Sequence, residues 1–197
     1  MRLQSLTSIS RPMLGTLALA SLLVLPACSI NVKKDKSGQD KRVDIETPVG
    51  GIHVDTQADV RDTGLPVYPG ARPKQKDNTG NEKSANVNIS SGVFALKVIA
   101  VEYESDDTPE KLISYYRDQL KRYGSVLECR TSDQGYTHSS SGEKEHQTLK
   151  CDGDNSGKNV ELKVGTEDNQ HIVAIRPQDK GSSFALVYVK TRGKDTI

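Results

Sequence analysis

The stretch from Thr108 to Gly124 (TPEKLISYYRDQLKRYG) constrains the fold more than any other. It alone carries a clear helical period in a chain otherwise patterned for strands. At 100° per residue Leu112, Ile113, Tyr116, Leu120 and Tyr123 fall within an arc of about 100°, the width of a stripe that faces a core. Lys111, Arg117, Asp118, Lys121 and Arg122 lie on the other side. Thr108 or Asp107 can serve as N-cap, and Pro109 suits the first helical position, where its fixed φ and missing N–H do no harm. Lys121 and Arg122 complement the dipole in the last turn, Asp118 and Arg122 form an i,i+4 pair, and Gly124 can take a left-handed stop. A lone helix of this kind must bury its stripe, and the strands have to supply the surface.

Beyond residue 84 those strands are easy to mark. Val87 and Ile89 alternate with polar neighbours, and residues 93–103 form a long run of Val, Ile and Ala. Residues 126–131, 147–151, 159–165, 170–176 and 183–191 follow, mostly joined by brief polar turns that favour antiparallel pairing. Upstream, residues 43–47 and 51–56 alternate around Pro48-Val-Gly-Gly51, the signature of a small hairpin within 43–63, an accessory ribbon or extension that must pack on something. Residues 65–73 hold three prolines and so run extended, with Leu65, Val67 and Tyr68 against a sheet edge. The expected fold is α+β: one amphipathic helix on a mainly antiparallel sheet of about six strands, in one globular domain over residues 64–197. With no Trp, two Phe and seven Tyr, its core must rest on aliphatic residues filled out by tyrosine.

The front of the chain speaks about location. Arg2 and Arg11 form a positive start with no acid before Asp35, and residues 13–25 are apolar but too short to span a bilayer permanently. Leu25-Pro26-Ala27-Cys28 then resembles the lipobox of bacterial lipoprotein precursors. That resemblance implies a signal peptide over residues 1–27, cleavage before Cys28, and a diacylglycerol thioether on its sulfur. At about 0.8 kcal/mol per buried CH₂, two or three acyl chains hold a protein where one does not. It also implies a cell-envelope location, and Ser29 in place of Asp favours the outer membrane facing the periplasm in a cell with two membranes. Residues 28–42 read as a flexible, disordered tether reaching about 50 Å when extended. Its excess of Lys and Arg either meets anionic headgroups or merely keeps the domain clear of them, the second being the plainer reading. If Cys28 is acylated, Cys129 and Cys151 remain as an even pair in an oxidising compartment, which reads as a disulfide worth about 3 kcal/mol.

Searches for chemistry return little. Basic and acidic residues number 27 and 26, and loss of Arg2 and Arg11 takes the net charge from +1 to −1, so no field argues for nucleic acid. No Gly-rich loop opens a helix after a strand, and no cofactor is expected. Asp152, Asp154 and Ser156 copy the opening of an EF-hand loop, but the bidentate Glu at its twelfth position is Lys163 here, and a turn between strands is the plainer reading. His138 and His146 flank a polar loop without metal-ligand spacing, and Ser141-Gly-Glu-Lys144 lacks the companions of an S-x-x-K nucleophile. Tyr115 lies about 60° off the helix stripe, either lining an apolar groove or marking an amphipathic boundary.

Taken together, the Leu-Pro-Val-Tyr-Pro-Gly-Ala turn, the Ser-Asp-Asp-Thr-Pro-Glu helix start and the Ser-Tyr-Tyr-Arg-Asp-Gln-Leu-Lys-Arg-Tyr-Gly helix resemble a pattern in bacterial secreted and lipoprotein domains, over roughly residues 64–190. The pattern implies a small α+β fold and brings no activity with it. The expected function is a non-catalytic, lipid-anchored envelope protein that binds or scaffolds an envelope protein partner. The alternative is a periplasmic lipoprotein binding a small ligand or metal ion, at the Asp152–Gly157 turn or beside Tyr115.

Overall fold

The computed structural model describes residues 28–34, 40–74, 84–132, 148–151 and 155–193. In chain order the elements are β1 (Ser29–Lys34), β2 (Asp40–Thr47), β3 (Gly50–Asp55), β4 (Arg72–Pro73), β5 (Ser84–Ser91), β6 (Phe94–Ser105), α1 (Pro109–Leu120), β7 (Leu127–Thr131), β8 (Asn159–Thr166), β9 (Asn169–Pro177) and β10 (Ser182–Gly193). All ten strands belong to one antiparallel sheet of order β1-β2-β3-β5-β6-β10-β9-β8-β7, with the short β4 beside the end of β6.

The protein is therefore mainly β. An α+β fold with about six strands is not what forms, and the difference lies in particular segments. Ser29–Lys34, expected in a disordered tether, is a strand paired with β2 from Ser29↔Glu46 onward. Its two apolar residues, Ile30 and Val32, are too few to stand out among lysines until a partner is in place. The expected hairpin forms as β2 and β3, but it is no side ribbon: β3 pairs with β5, which carries the sheet on to β6. Conversely, residues 148–151 of the expected strand 147–151 carry no regular structure. They are tied to β7 by the Cys129–Cys151 disulfide.

The helix does what its pattern promises. Registers align Val101, Leu186, Val173 and Leu162 across β6, β10, β9 and β8, and Tyr103, Phe184, Ile175 and Val160 beside them. Onto these rows α1 lays Leu112, Ile113, Tyr116 and Leu120, all buried. Tyr123 departs from the stripe. After Leu120 the chain tightens into a 3₁₀ turn, Lys121–Tyr123, that leaves its ring 37% exposed. Gly124 then ends the element at φ 137°, a conformation that favours glycine. Asp118 pairs with Lys121 at 2.7 Å, and Arg122 donates instead to the Gly64 carbonyl at 2.9 Å.

The proline-rich stretch and the helix start clamp each other. Tyr116 Oη accepts the Tyr68 N–H at 3.0 Å and donates to the Pro66 carbonyl at 3.2 Å. Tyr68 donates its hydroxyl to Asp107 at 2.9 Å, while Arg72 grips Asp106 with both terminal nitrogens. Leu65, just upstream, is 4% exposed within the core. Thr108 caps the helix with its backbone alone, and Asp107 pairs with Lys111 at 2.6 Å. The residues of the recognised pattern are thus engaged in holding α1 down.

Two substitutions separate these roles. Tyr116→Phe strands the Tyr68 N–H without its acceptor and is expected to lower stability by about 1–3 kcal/mol. The Tyr115 hydroxyl makes no hydrogen bond among the described residues, so Tyr115→Phe should stay within about 0.5 kcal/mol. Urea midpoints at constant m-value measure both.

Candidate functional site

The apolar residues of the N-terminal half of the sheet point away from α1. Strand alternation decides this, because residues directly opposite one another in a ladder share a face. Val32, Val43, Val54, Val87, Val98 and Val189 stand opposite each other in turn across β1, β2, β3, β5, β6 and β10. Two residues along, Ile30, Ile45, Ile52, Ile89 and Leu96 form a second row that ends at Thr191. The reverse face carries Asn31, Asp44, His53, Asn88, Lys97 and Lys190. At ~4.8 Å between strands the six-strand rows are about 24 Å wide. None of their side chains is fully buried, and Ile30, Val32 and Ile52 are 67%, 41% and 38% exposed.

Beside the valine row the same face dips. Ala85, Ala100, Ala174 and Ala185 offer only methyl groups, leaving a hollow of about 260 Å³ edged by Glu102 and Arg176. Glu102 lies 3.8 Å from Lys74 Nζ, whereas Arg176 is exposed and forms no ion pair among the described residues. Further across, Cys129 is buried and the Glu161–Lys163 pair, 3.2 Å apart, is nearly so.

The residues singled out in the sequence do not gather. Cys28 is exposed with a free thiol and directly precedes β1, in step with Ile30 and Val32. Tyr115 is half-buried, edge-on to Tyr68 at 5.1 Å and to Tyr116 at 5.0 Å, within an aromatic cluster on the opposite side of the sheet. Ser156 is exposed next to Asn155, whose φ is 52° and whose Oδ1 accepts the Arg130 N–H at 2.6 Å. Asp152, Asp154, His138, His146, Ser141 and Lys144 fall outside the described residues. His53, on β3, has Asp44 at 2.9 Å from Nδ1 and Glu46 at 3.2 Å from Nε2. Carboxylates on opposite ring nitrogens cannot converge on one ion, and among the described residues no group of three or more acidic, His or Cys side chains could hold a metal. No helix among them is long and apolar enough to cross a membrane. The two apolar rows are the feature that sequence reading missed. Alternation is visible within residues 43–47, 51–56 and 87–89, but not in β1, and the rows exist only through the registers that join the strands.

His171, on β9, is half-buried. Its ring lies between Tyr123 at 3.9 Å and Tyr188 at 5.0 Å, with Nδ1 2.9 Å from the Thr63 carbonyl. Burial lowers its pKa below the ordinary 6.5, the bond to Thr63 opposes that, and nearby Arg122 adds to the lowering. Below pH 6.5 the unfolded chain therefore binds more protons at this site than the folded one. The stabilisation is complete above that pH and is lost as the pH falls toward the folded-state value. Urea midpoints between pH 7.5 and 5 should decline on acidification, and His171→Gln should flatten that part of the decline.

Compared with known proteins, the chain matches no family model, no curated protein and no solved structure.

Proposed function

We propose that this chain is a lipid-anchored cell-envelope protein, acylated at Cys28, whose sheet binds or scaffolds another envelope protein without catalysing a reaction. The observation that carries the reading is Leu25-Pro26-Ala27-Cys28 at the end of a short apolar run behind Arg2 and Arg11. Two further observations support it. The Cys28 thiol is exposed and free, and the other two cysteines are joined to each other, as suits an oxidising compartment. Ser29 after the anchor favours the outer membrane facing the periplasm in a two-membrane cell.

The test is Cys28→Ala in such a cell. The native chain should incorporate labelled palmitate and fractionate with membranes, while the variant should lose the label and move to the soluble periplasmic fraction. An unlabelled native chain, or a variant that keeps both the label and the membrane association, overturns the anchor.

A second reading, a small-ligand-binding lipoprotein, is favoured by the alanine-floored hollow between Glu102 and Arg176. Opposite charges at its rim suit a small zwitterion. A thermal-shift titration with free amino acids should then raise the melting temperature, and Arg176→Ala should abolish the rise. No shift with any of them removes this reading.

A further inference from the structure

Seven large hydrophobic residues are exposed among the described residues, and six of them, Ile30, Val32, Val49, Ile52, Val93 and Phe94, lie in the β1–β6 half of the sheet. The registers bring several of these to one end. Ser29 pairs with Glu46, Thr47 with Gly50, and Gly50 with Ser91. The start of β1, the β2–β3 turn and the β5–β6 turn therefore share an edge of the molecule. Val49 in one turn is 78% exposed, Val93 in the other 71%, and Phe94 beside it 42%. Cys28 opens onto that same edge. The isoleucine row is the next apolar row inward, and the valine row follows it.

We infer that this end and the two apolar rows behind it dock on the surface of a lipid bilayer, with the apolar face down and the polar face and α1 toward water. The inference rests on acylation of Cys28. Its occupant follows from where the chain enters: 27 residues precede Cys28, and the edge strand begins at the very next residue. One residue spans at most about 3.6 Å, so acyl chains in the membrane hold β1 at its surface. A contiguous apolar patch of this kind is rare on a monomer left in water. A second copy seated face to face would cover the rows and Phe94, which shares their face, but leave Val49 and Val93 in the turns beyond them. A bilayer covers both. Among the described residues β1 is the edge strand, and its outer backbone N–H and C=O groups are ones hydrocarbon cannot satisfy, so the sheet rests in the headgroup region and does not sink further.

The chain contains no Trp, so single replacements report without background. Val49→Trp, Val93→Trp and Ile52→Trp place reporters at exposed positions of the end and face, where a larger ring displaces no core packing. Ser114→Trp, on the exposed side of α1, is the control. Each acylated full chain is reconstituted in phosphatidylethanolamine–phosphatidylglycerol vesicles, with or without bromine on the acyl chains. Docking predicts emission lowered about two-fold or more by bromolipid at positions 49, 93 and 52 and unchanged at 114. Acylated protein that sediments with vesicles yet shows no quenching at any position overturns the docking and leaves the anchor standing. Absence of the acyl label overturns both. Protection of position 52 from aqueous iodide in a vesicle-free dimer, without bromolipid quenching, assigns the face to a second copy and also overturns the proposal.

Discussion

Both halves of this molecule depend on β6 lying beside β10 along its whole length, from Ser105↔Ser182 to Phe94↔Gly193. These central strands are apolar on both faces. One face offers Val101, Tyr103, Phe184 and Leu186 to the helix, and the other offers Leu96, Val98 and Val189 to the exposed rows. Because side chains alternate with a period of two, a slip of one residue would send each set to the wrong side. Bonds from β10 to β9 and from β6 to β5 carry the same phase outward, and among the described residues the one shift between strands falls at the margin, between Lys33 and Lys34.

Why the apolar side changes face along the sheet is a matter of coverage. Twelve helical residues span about 18 Å, while nine strands side by side span about 38 Å. One helix therefore covers part of one face, and here it lies over β8 and β9, with Tyr116 reaching Phe184 of β10. On that face the strands beyond its reach carry Asn, Asp, His and Lys in place of Val and Leu. Had these positions been apolar they would have lain open on the helix side as well. The switch to valine and isoleucine on the reverse face keeps β1–β5 amphipathic and assigns them a different cover.

What could be read in advance divides between local and non-local information. The helix, its four buried stripe residues and the hairpin at β2–β3 follow from periodicity within short windows. The Cys129–Cys151 bridge followed from counting once Cys28 was set aside, and it forms. The fold class did not follow, since it turned on strands whose own pattern is weak. Ile30 and Val32 gain meaning only opposite Ile45 and Val43, and residues 148–151 of the expected 147–151 strand are tied by Cys151 to Cys129 instead of by a ladder among the described residues. Tyr123 fits a 100° period but lies in a 3₁₀ turn that no longer obeys it. For the candidate site, Cys28 was visible from its neighbours and the apolar rows were not, because each row draws one residue from each of six strands.

The two ends of the sheet are protected differently, and this bears on what a membrane anchor would accomplish here. At one end β7 is five residues long and its Cys129 is bonded to a neighbouring segment, so little regular edge is offered for pairing. At the other end β1 is a six-residue edge strand with Ile30 and Val32 exposed, the sort of edge along which chains associate. A fourteen-residue tether would have left that edge free to meet other molecules. With the strand starting one residue after Cys28, acylation would instead hold it at a lipid surface, where two-dimensional confinement fixes its orientation and restricts edge-to-edge encounter. On the proposed reading, then, the anchor is part of how the sheet is kept soluble. On that same reading the polar row from Asn31 to Lys190 and the outer side of α1 would be the surfaces left open to a partner.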